Sequence, residues 1–114
     1  MIAAVLTTAF LLLAAPAPAK VYYGKFDGAK KPGEVVATKV FQEIPEYMKI
    51  RDRGLKEDDP EYSILLAKAN AKFYAAVAVA AAQASCDVVV EKGSAVFKVE
   101  VVDLTQKAIG AIEK

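Results

Sequence analysis

The 114-residue chain contains no histidine, no tryptophan and a single cysteine, Cys86. Without histidine, neither a Ser/His/Asp nor a Cys/His catalytic set can be built, and a structural zinc site lacks one of its usual ligands. One cysteine also excludes an internal disulfide, and we expect Cys86 to be a partly buried structural residue. The sequence therefore predicts that the protein is not an enzyme and holds no cofactor and no metal.

The chain also lacks an excess of charge of either sign. Its 15 basic and 14 acidic residues give a net charge of +1, so no electrostatic feature favours a nucleic-acid partner. A domain this small gains extra stability from disulfides, metals or association. Because the first two are disfavoured by composition, we expect a homo-oligomer.

Charge is absent altogether from residues 1–19. An apolar run over residues 2–15 is followed by Ala17-Pro18-Ala19, which offers small residues at the positions that signal peptidase reads. This pattern predicts a signal peptide over 1–19, cleavage after Ala19 and no stable membrane insertion afterwards. No basic residue precedes the run, so retention of the segment as an anchor stays open. Residues 20–114 then form a single domain.

The first part of that domain, residues 20–38, is predicted to be extended chain. Residues 21–26 are rich in strand formers, and Asp27-Gly28 is a turn signal. Residues 30–33 predict a second turn or a loose loop, and residues 34–37 a short strand. Which of the two apolar runs joins the main sheet is left open. Thr38 stands where a residue could cap a following helix.

Residues 39–85 have the spacing of two antiparallel helices. In the first, Pro45 marks either a kink or a new helix start, and Gly54 suits a left-handed end. The second begins at Asp59-Pro60-Glu61, a cap, a first-position proline and an acidic first turn, and runs to about Ser85. The heptad-like apolar stripe of this helix favours packing along a seam. It consists of Tyr62, Leu66, Ala69, Phe73, Ala76 and Ala80.

The end of the second helix, Ala75 to Ala84, carries no charge at all. A surface helix of a monomer keeps a polar face, so this segment predicts burial on all sides, by the sheet on one side and by other subunits on the rest. The candidate subunit contacts come from this segment and from the strands after it. They are Ala76, Val77, Val79, Ala80, Val88, Val90 and Phe97.

The last quarter of the chain predicts a β-hairpin and a short helix. Residues 88–90 form the first strand, Lys92-Gly93-Ser94 the turn, and residues 95–101, in which apolar and polar residues alternate, the second strand. Asp103 or Thr105 caps a final helix with an apolar face of Ala108, Ile109 and Ile112. The fold class is thus α+β, an antiparallel αα-hairpin (39–85) projecting from a small β-sheet body (20–38 and 86–114).

These elements, in this order, resemble the Skp/OmpH family of periplasmic chaperones. The resemblance rests on the strand 86–90, the turn 91–94, the strand 95–97 and the helix start Val102-Asp103-Leu104-Thr105. Upstream, residues 35–41 and Pro45-Glu46-Tyr47 are similar to the family's first strand and helix start. The chain departs from the family in its much shorter hairpin, in prongs that are not strongly basic, and in the additional residues 20–33.

The resemblance implies a periplasmic, ATP-independent holdase. Three chains would form a small β body, and their helical hairpins would surround a cavity for unfolded outer-membrane or envelope proteins. The alternative is a non-chaperone structural or adaptor module of the envelope that uses the same oligomeric body to bind one specific partner. A short hairpin suits such a fixed partner better than a large unfolded client.

Four aromatic residues along the hairpin are candidate client contacts: Tyr47, Tyr62, Phe73 and Tyr74. For the first three, the periodic pattern favours packing between the helices over exposure. Tyr74 lies off the apolar stripe, so it is the better candidate for an exposed contact.

Overall fold

The computed structural model describes residues 19–113, and the predicted signal peptide lies outside these residues except for Ala19. Within them the fold is α+β, as expected, with a four-stranded sheet, one long helix and three short helices. The strands are β1 (Val21–Gly24), β2 (Pro32–Val35), β3 (Val88–Glu91) and β4 (Val102–Asp103), and the helices are α1 (Ala37–Phe41), α2 (Pro45–Asp52), α3 (Pro60–Ala84) and α4 (Thr105–Gly110).

Both N-terminal apolar runs join the one sheet, whose strand order is β1-β3-β2-β4. Strand β3 is antiparallel to β1 and parallel to β2, and β2 is parallel to β4. The prediction of a turn or loop over residues 30–33 is wrong for its last two residues, because Pro32 and Gly33 are the first residues of β2. Proline is tolerated at the first residue of a strand. At Gly33 a Cβ atom would lie 2.6 Å from Leu104 Cδ1, so the absence of a side chain lets helix α4 and its preceding turn approach the sheet.

The predicted C-terminal β-hairpin is wrong. The turn after β3 is present, with Ser94 N–H donating to the Glu91 carbonyl at 3.0 Å, but residues 95–101 form no strand. Strand β3 already has β1 on one edge and β2 on the other, so no edge remains for a returning strand. The chain instead crosses to the far side of β2, where Gly33 is the register partner of Val102.

The first arm of the predicted helical pair consists of two short helices. Ile44 is extended and Pro45 begins α2, so the proline starts a new helix rather than kinking a continuous one. Thr38 lies inside α1 and does not cap it; the Val36 N–H at this helix start donates to the Thr105 hydroxyl at 3.0 Å. As expected, Gly54 follows α2 with a left-handed φ of +60°.

Helix α3 has the predicted bounds within one residue, and Asp59 precedes it in an extended conformation. The Asp59 carboxylate accepts the Lys56 N–H at 2.8 Å and thereby fixes the turn before the helix. At the other end Ser85 is left-handed, with φ 58°, which lets the chain turn directly into β3. The Cys86 N–H donates to the Ala81 carbonyl at 2.9 Å, so the helix end is satisfied.

The core lies between the sheet, α1, α3 and α4, with the buried Phe73 near its centre. The Phe73 ring stacks on Phe41 at a centroid distance of 4.6 Å and meets the Tyr22 ring edge-on at 5.0 Å. Helix α4 packs on α3 and α1. The prediction that Asp103 or Thr105 caps α4 is wrong, because Leu104 is at the cap position and makes no side-chain cap bond. The Asp103 carboxylate instead accepts the N–H of Thr105, the first residue of α4, at 2.9 Å.

Candidate protein-binding surface

The side of α3 that faces away from the sheet is exposed and largely apolar. Its largest members, Ile64, Tyr74 and Val79, are exposed to 55%, 51% and 44%. Successive positions along a helix are 100° apart, so residues at steps of three, four and seven share one face. The apolar members of this surface, called here the outer face of α3, are Ile64, Ala71, Tyr74, Ala75, Val79 and Ala82, all of them exposed. The exposed Lys68 lies on the same side of the helix, between Ile64 and Ala71.

The opposite side of the same helix is the core-facing side. Leu65, Ala69, Phe73, Val77 and Ala80 are buried there, against β1, β3 and the helices α1, α2 and α4. The expectation that the sheet covers one side of the charge-free end is therefore correct. No other part of residues 19–113 covers the opposite side, and residues Ala75, Val79 and Ala82 leave an apolar strip in contact with solvent.

Five of the seven predicted subunit contacts have no accessible surface in the single chain. They are at most 1% exposed: Ala76, Val77, Ala80, Val88 and Val90. Their burial corrects their assignment, because side chains already packed inside one chain cannot contact another while the fold is kept. Val79 remains accessible at 44%, and Phe97 is half-buried.

The aromatic candidates divide as the spacing predicted. Phe73 is buried, and Tyr47 and Tyr62 are half-buried, with the Tyr47 ring 5.4 Å from that of Phe41. Tyr74 is exposed and lies edge-on to Tyr22 at 6.3 Å. Sequence reasoning missed Ile64, although its position seven residues before Ala71 places both on the same face.

A hydrogen-bonded carboxylate holds the base of this surface in place. One Glu91 oxygen accepts the Tyr22 hydroxyl at 2.8 Å and the Ala37 N–H at 3.0 Å. Burial, and then the hydrogen bond to Glu91, raise the pKa of Tyr22 well above its usual range. The phenol therefore stays protonated and keeps its donor, and its ring packs against both Phe73 and Tyr74.

A second apolar patch lies on the segment after β3. Val96 and Val99 are exposed to 93% and 49%, and the Phe26 and Phe97 rings are in contact at 5.2 Å. The alternation in residues 95–101 had predicted a strand, which would have buried one of its faces. The irregular chain instead leaves these valines in solvent.

Helix α2 is joined to α3 by an ion pair between largely buried side chains. Lys72 Nζ lies 3.0 Å from Glu46 Oε2, with side-chain exposures of 23% and 15%. The hydrogen bond from Lys72 lowers the pKa of Glu46, so the carboxylate stays charged. The other oxygen, Glu46 Oε1, is buried without a hydrogen-bond partner among the described residues.

Cys86 is only 6% exposed, and burial raises the pKa of its thiol, which keeps it in the unreactive protonated form. Over residues 19–113 no three or more acidic or cysteine side chains cluster in a way that could hold a metal ion. Helix α3 is long and apolar enough to cross a membrane, a property that it shares with core helices of soluble proteins.

Comparisons with protein-family models, with curated proteins and with solved structures gave no match to this chain.

Proposed function

We propose that the protein is a periplasmic, ATP-independent holdase of the Skp/OmpH type, which binds unfolded outer-membrane or envelope proteins as a homo-oligomer. The observation that carries this proposal is the outer face of α3, whose members from Ala71 to Ala82 are apolar and exposed in the single chain. Lys72, which falls within these residues, is paired with Glu46. Exposed contiguous apolar surface is typical of sites that bind other polypeptides.

In this proposal α2 and α3 are the two arms of an antiparallel hairpin. Their mutual packing and the Glu46–Lys72 ion pair support it. The arms differ in length: α3 has 25 residues and α2 has eight, or ~37 Å and ~12 Å at 1.5 Å per residue. Most of each prong would therefore be the single helix α3.

The two ends of the outer face would have different partners. Near the sheet, Ala75, Val79 and Ala82 present small side chains that let a second helix approach closely, so we assign this end to the subunit contact. Three copies joined there would form the trimer that the resemblance implies. Ile64, nearer the start of α3, and Tyr74, beside Ala75, are the larger apolar groups that would contact an unfolded client.

Association is tested by light scattering on residues 20–114 at micromolar concentration. We expect a trimer for the unmodified chain and a monomer for Val79→Asp, because a carboxylate at the seam would be buried without a partner. Asn70→Asp is the matched control, since Asn70 is exposed on α3 and lies nine residues from Val79, on the opposite side of the helix. A monomeric unmodified chain would contradict the proposed homo-oligomer. A trimeric Val79→Asp variant would contradict the assignment of Val79 to the subunit contact.

Client binding is tested by diluting a urea-unfolded outer-membrane barrel into buffer with excess protein and recording turbidity. We expect suppressed aggregation, weakened in an Ile64→Ser/Tyr74→Ser variant and unchanged in Val96→Ser, which removes an exposed apolar side chain elsewhere. Equal suppression by all three proteins would argue against the outer face as the client site.

The second candidate function is an envelope adaptor that binds one folded partner. The eight-residue length of α2 favours it, because a short arm encloses little space for an unfolded chain. In the turbidity assay an adaptor would give no suppression at any excess. It would instead form a complex of fixed stoichiometry, which Tyr74→Ser would weaken.

A further inference from the structure

A groove lies between α1, α2 and the turn that follows α2, and no residue of the outer face of α3 lines it. Its volume is about 440 Å³, within the range of sites for small ligands. The side chains that line it and enter the argument are Thr38, Gln42, Tyr47, Ile50, Arg51 and Leu55.

Among the described residues, Arg51 is the only charged one that lines this groove, so its guanidinium is the charged group that a ligand would meet there. Its Nε atom lies 3.4 Å from Asp52 Oδ1, a long contact between two exposed side chains. Within residues 19–113 neither Nη nitrogen has a hydrogen-bond partner. The outer edge of the guanidinium is therefore available for a ligand.

The remaining lining divides into polar and apolar parts. The side chains of Thr38, Gln42 and Tyr47 form no hydrogen bond to any other residue in the described part of the chain, so their donors and acceptors are free. Ile50, which is 8% exposed, and the half-buried Leu55 supply apolar surface beside them. A ligand that fits both parts has a polar, negatively charged end and an apolar body.

We propose that this groove binds a small monocarboxylate with an apolar body, with the carboxylate on the Nη edge of Arg51 and the body against Ile50 and Leu55. A guanidinium pairs with a carboxylate through two parallel N–H···O bonds, which gives it a geometric preference for this group. A single cation matches a single negative charge better than it matches a dianionic phosphate. Free organic acids and the C-terminal carboxylate of a peptide share this chemistry, and the proposal is independent of the holdase function.

The test is a titration of the ¹⁵N-labelled full chain followed by NMR. N-acetyl-phenylalanine represents a peptide end, 4-phenylbutanoate a free acid, and N-acetyl-phenylalanine amide the uncharged analogue. We expect saturable shifts of the Gln42 and Leu55 amides with at least one acid, at Kd values around 1 mM, and weaker binding of the amide. Arg51→Gln should reduce acid affinity about 5- to 10-fold and leave amide affinity unchanged.

Lys49→Gln is the matched control, because it removes the same charge from the same helix at an exposed residue outside the groove. It should keep the preference for the acid. Saturation by N-acetyl-phenylalanine alone identifies the peptide end as the source, and saturation by 4-phenylbutanoate alone identifies a free acid. Equal binding of acid and amide, shifts confined to other residues, or no saturable shift up to about 10 mM would overturn the proposal.

Discussion

Two single residues fix the loop between β1 and β2 against the start of β3. The Asp87 carboxylate accepts the Lys30 N–H at 2.7 Å and the Lys31 N–H at 3.1 Å, while its own N–H donates to the Lys31 carbonyl. On the other side of the same junction, Gly24 is the register partner of Val88. Because both contacts join distant parts of the chain, each can be tested by one substitution.

Gly24→Ala should destabilise the fold strongly. Gly24 has a left-handed φ of +72°, and a Cβ atom there would overlap the Asp87 carbonyl oxygen. We expect the free energy of unfolding to fall by about 2–4 kcal/mol, from backbone strain together with the overlap. Urea denaturation measures this change.

Gly28→Ala separates these two causes. Gly28 also has a left-handed φ, +75°, but a Cβ atom there meets nothing within 4 Å. Strain alone should cost about 1 kcal/mol. Equal losses for both variants would show that the close approach of β1 to β3 does not matter for stability.

Asp87→Asn should make the protein less sensitive to acid. The hydrogen bond from Lys30, then that from Lys31, lowers the pKa of Asp87 in the folded state, so its stabilising effect is present above the unfolded pKa of about 3.9 and is lost as pH falls through the lower folded pKa. The urea midpoint of the variant should lie below that of the unmodified protein at pH 7, and the gap between the two should narrow as pH falls from about 3.9 to about 2.5.

Asp58→Asn is the control for this experiment, because Asp58 is exposed and its carboxylate accepts no hydrogen bond within residues 19–113. Its midpoint should follow that of the unmodified protein at both pH values. A constant gap between Asp87→Asn and the unmodified protein down to pH 2.5 would contradict the role given to the Asp87 carboxylate.

At the scale of elements, the helices were the predictable part. Helix α3 follows from Asp59-Pro60-Glu61 and a long apolar periodicity, and α2 from Pro45, because these signals are local. The same is true of Tyr74, whose exposure follows from its place off the stripe. The position of the two arms relative to each other depends on side chains that no local pattern pairs, chiefly Glu46 and Lys72.

The strands were predictable only as segments. Residues 95–101 alternate like a strand, but whether a strand forms depends on a free edge, and β1 and β2 already occupy both edges of β3. Parallel pairing between β2 and β3 joins residues far apart in the chain and leaves no signal in either segment. For the same reason the sequence could not show whether Val77 and Val88 lie in the core of one chain or in a contact between subunits.

The ion pair between α2 and α3 should be worth more than an exposed one. Glu46→Gln removes the charge that faces the largely buried Lys72, and we expect a loss of about 1–2 kcal/mol at pH 7. A double-mutant cycle with Lys72→Met isolates the coupling. Because the Lys72 hydrogen bond lowers the folded pKa of Glu46, this coupling should be present above about pH 4.3 and disappear as pH falls further.

The Lys92–Asp103 pair is the comparison for that cycle. Its side chains are about half exposed and the Nζ–Oδ2 distance is 3.4 Å. Its coupling should stay below about 0.5 kcal/mol. A coupling between Glu46 and Lys72 no larger than this would mean that the apolar contacts, rather than the ion pair, hold α2 on α3.

At the scale of the whole molecule, stability should vary sharply between the centre and the periphery. Strands β2 and β3 each have a neighbour on both sides, and the core-facing side of α3 is buried over them. Residues 95–101 form no strand and carry the exposed Val96 and Val99. Local opening is easiest where the backbone is exposed and few apolar contacts are made.

Hydrogen–deuterium exchange on residues 20–114 should show this gradient. We expect the amides of β3 and the second half of α3 to exchange slowest and those of residues 95–101 fastest. A dilution series distinguishes the state of association: protection of 95–101 that increases with concentration would place this segment in a subunit contact. Protection equal to that of β3 at all dilutions would contradict the irregular structure described for it.

The central place of β2 has a consequence for how the chain acquires its structure. Its register partners are Val88 to Glu91 on one side and Val102 and Asp103 on the other, and β1 pairs only with β3. No strand of the first third of the chain can therefore find a partner until the last quarter is available. Closing loops of this length before any pairing is gained makes sheet formation slow, whereas α2 and α3 lie close in sequence and can meet first. A chain of this design remains without its sheet while it is being made, and completes it only after its C-terminal strands have emerged.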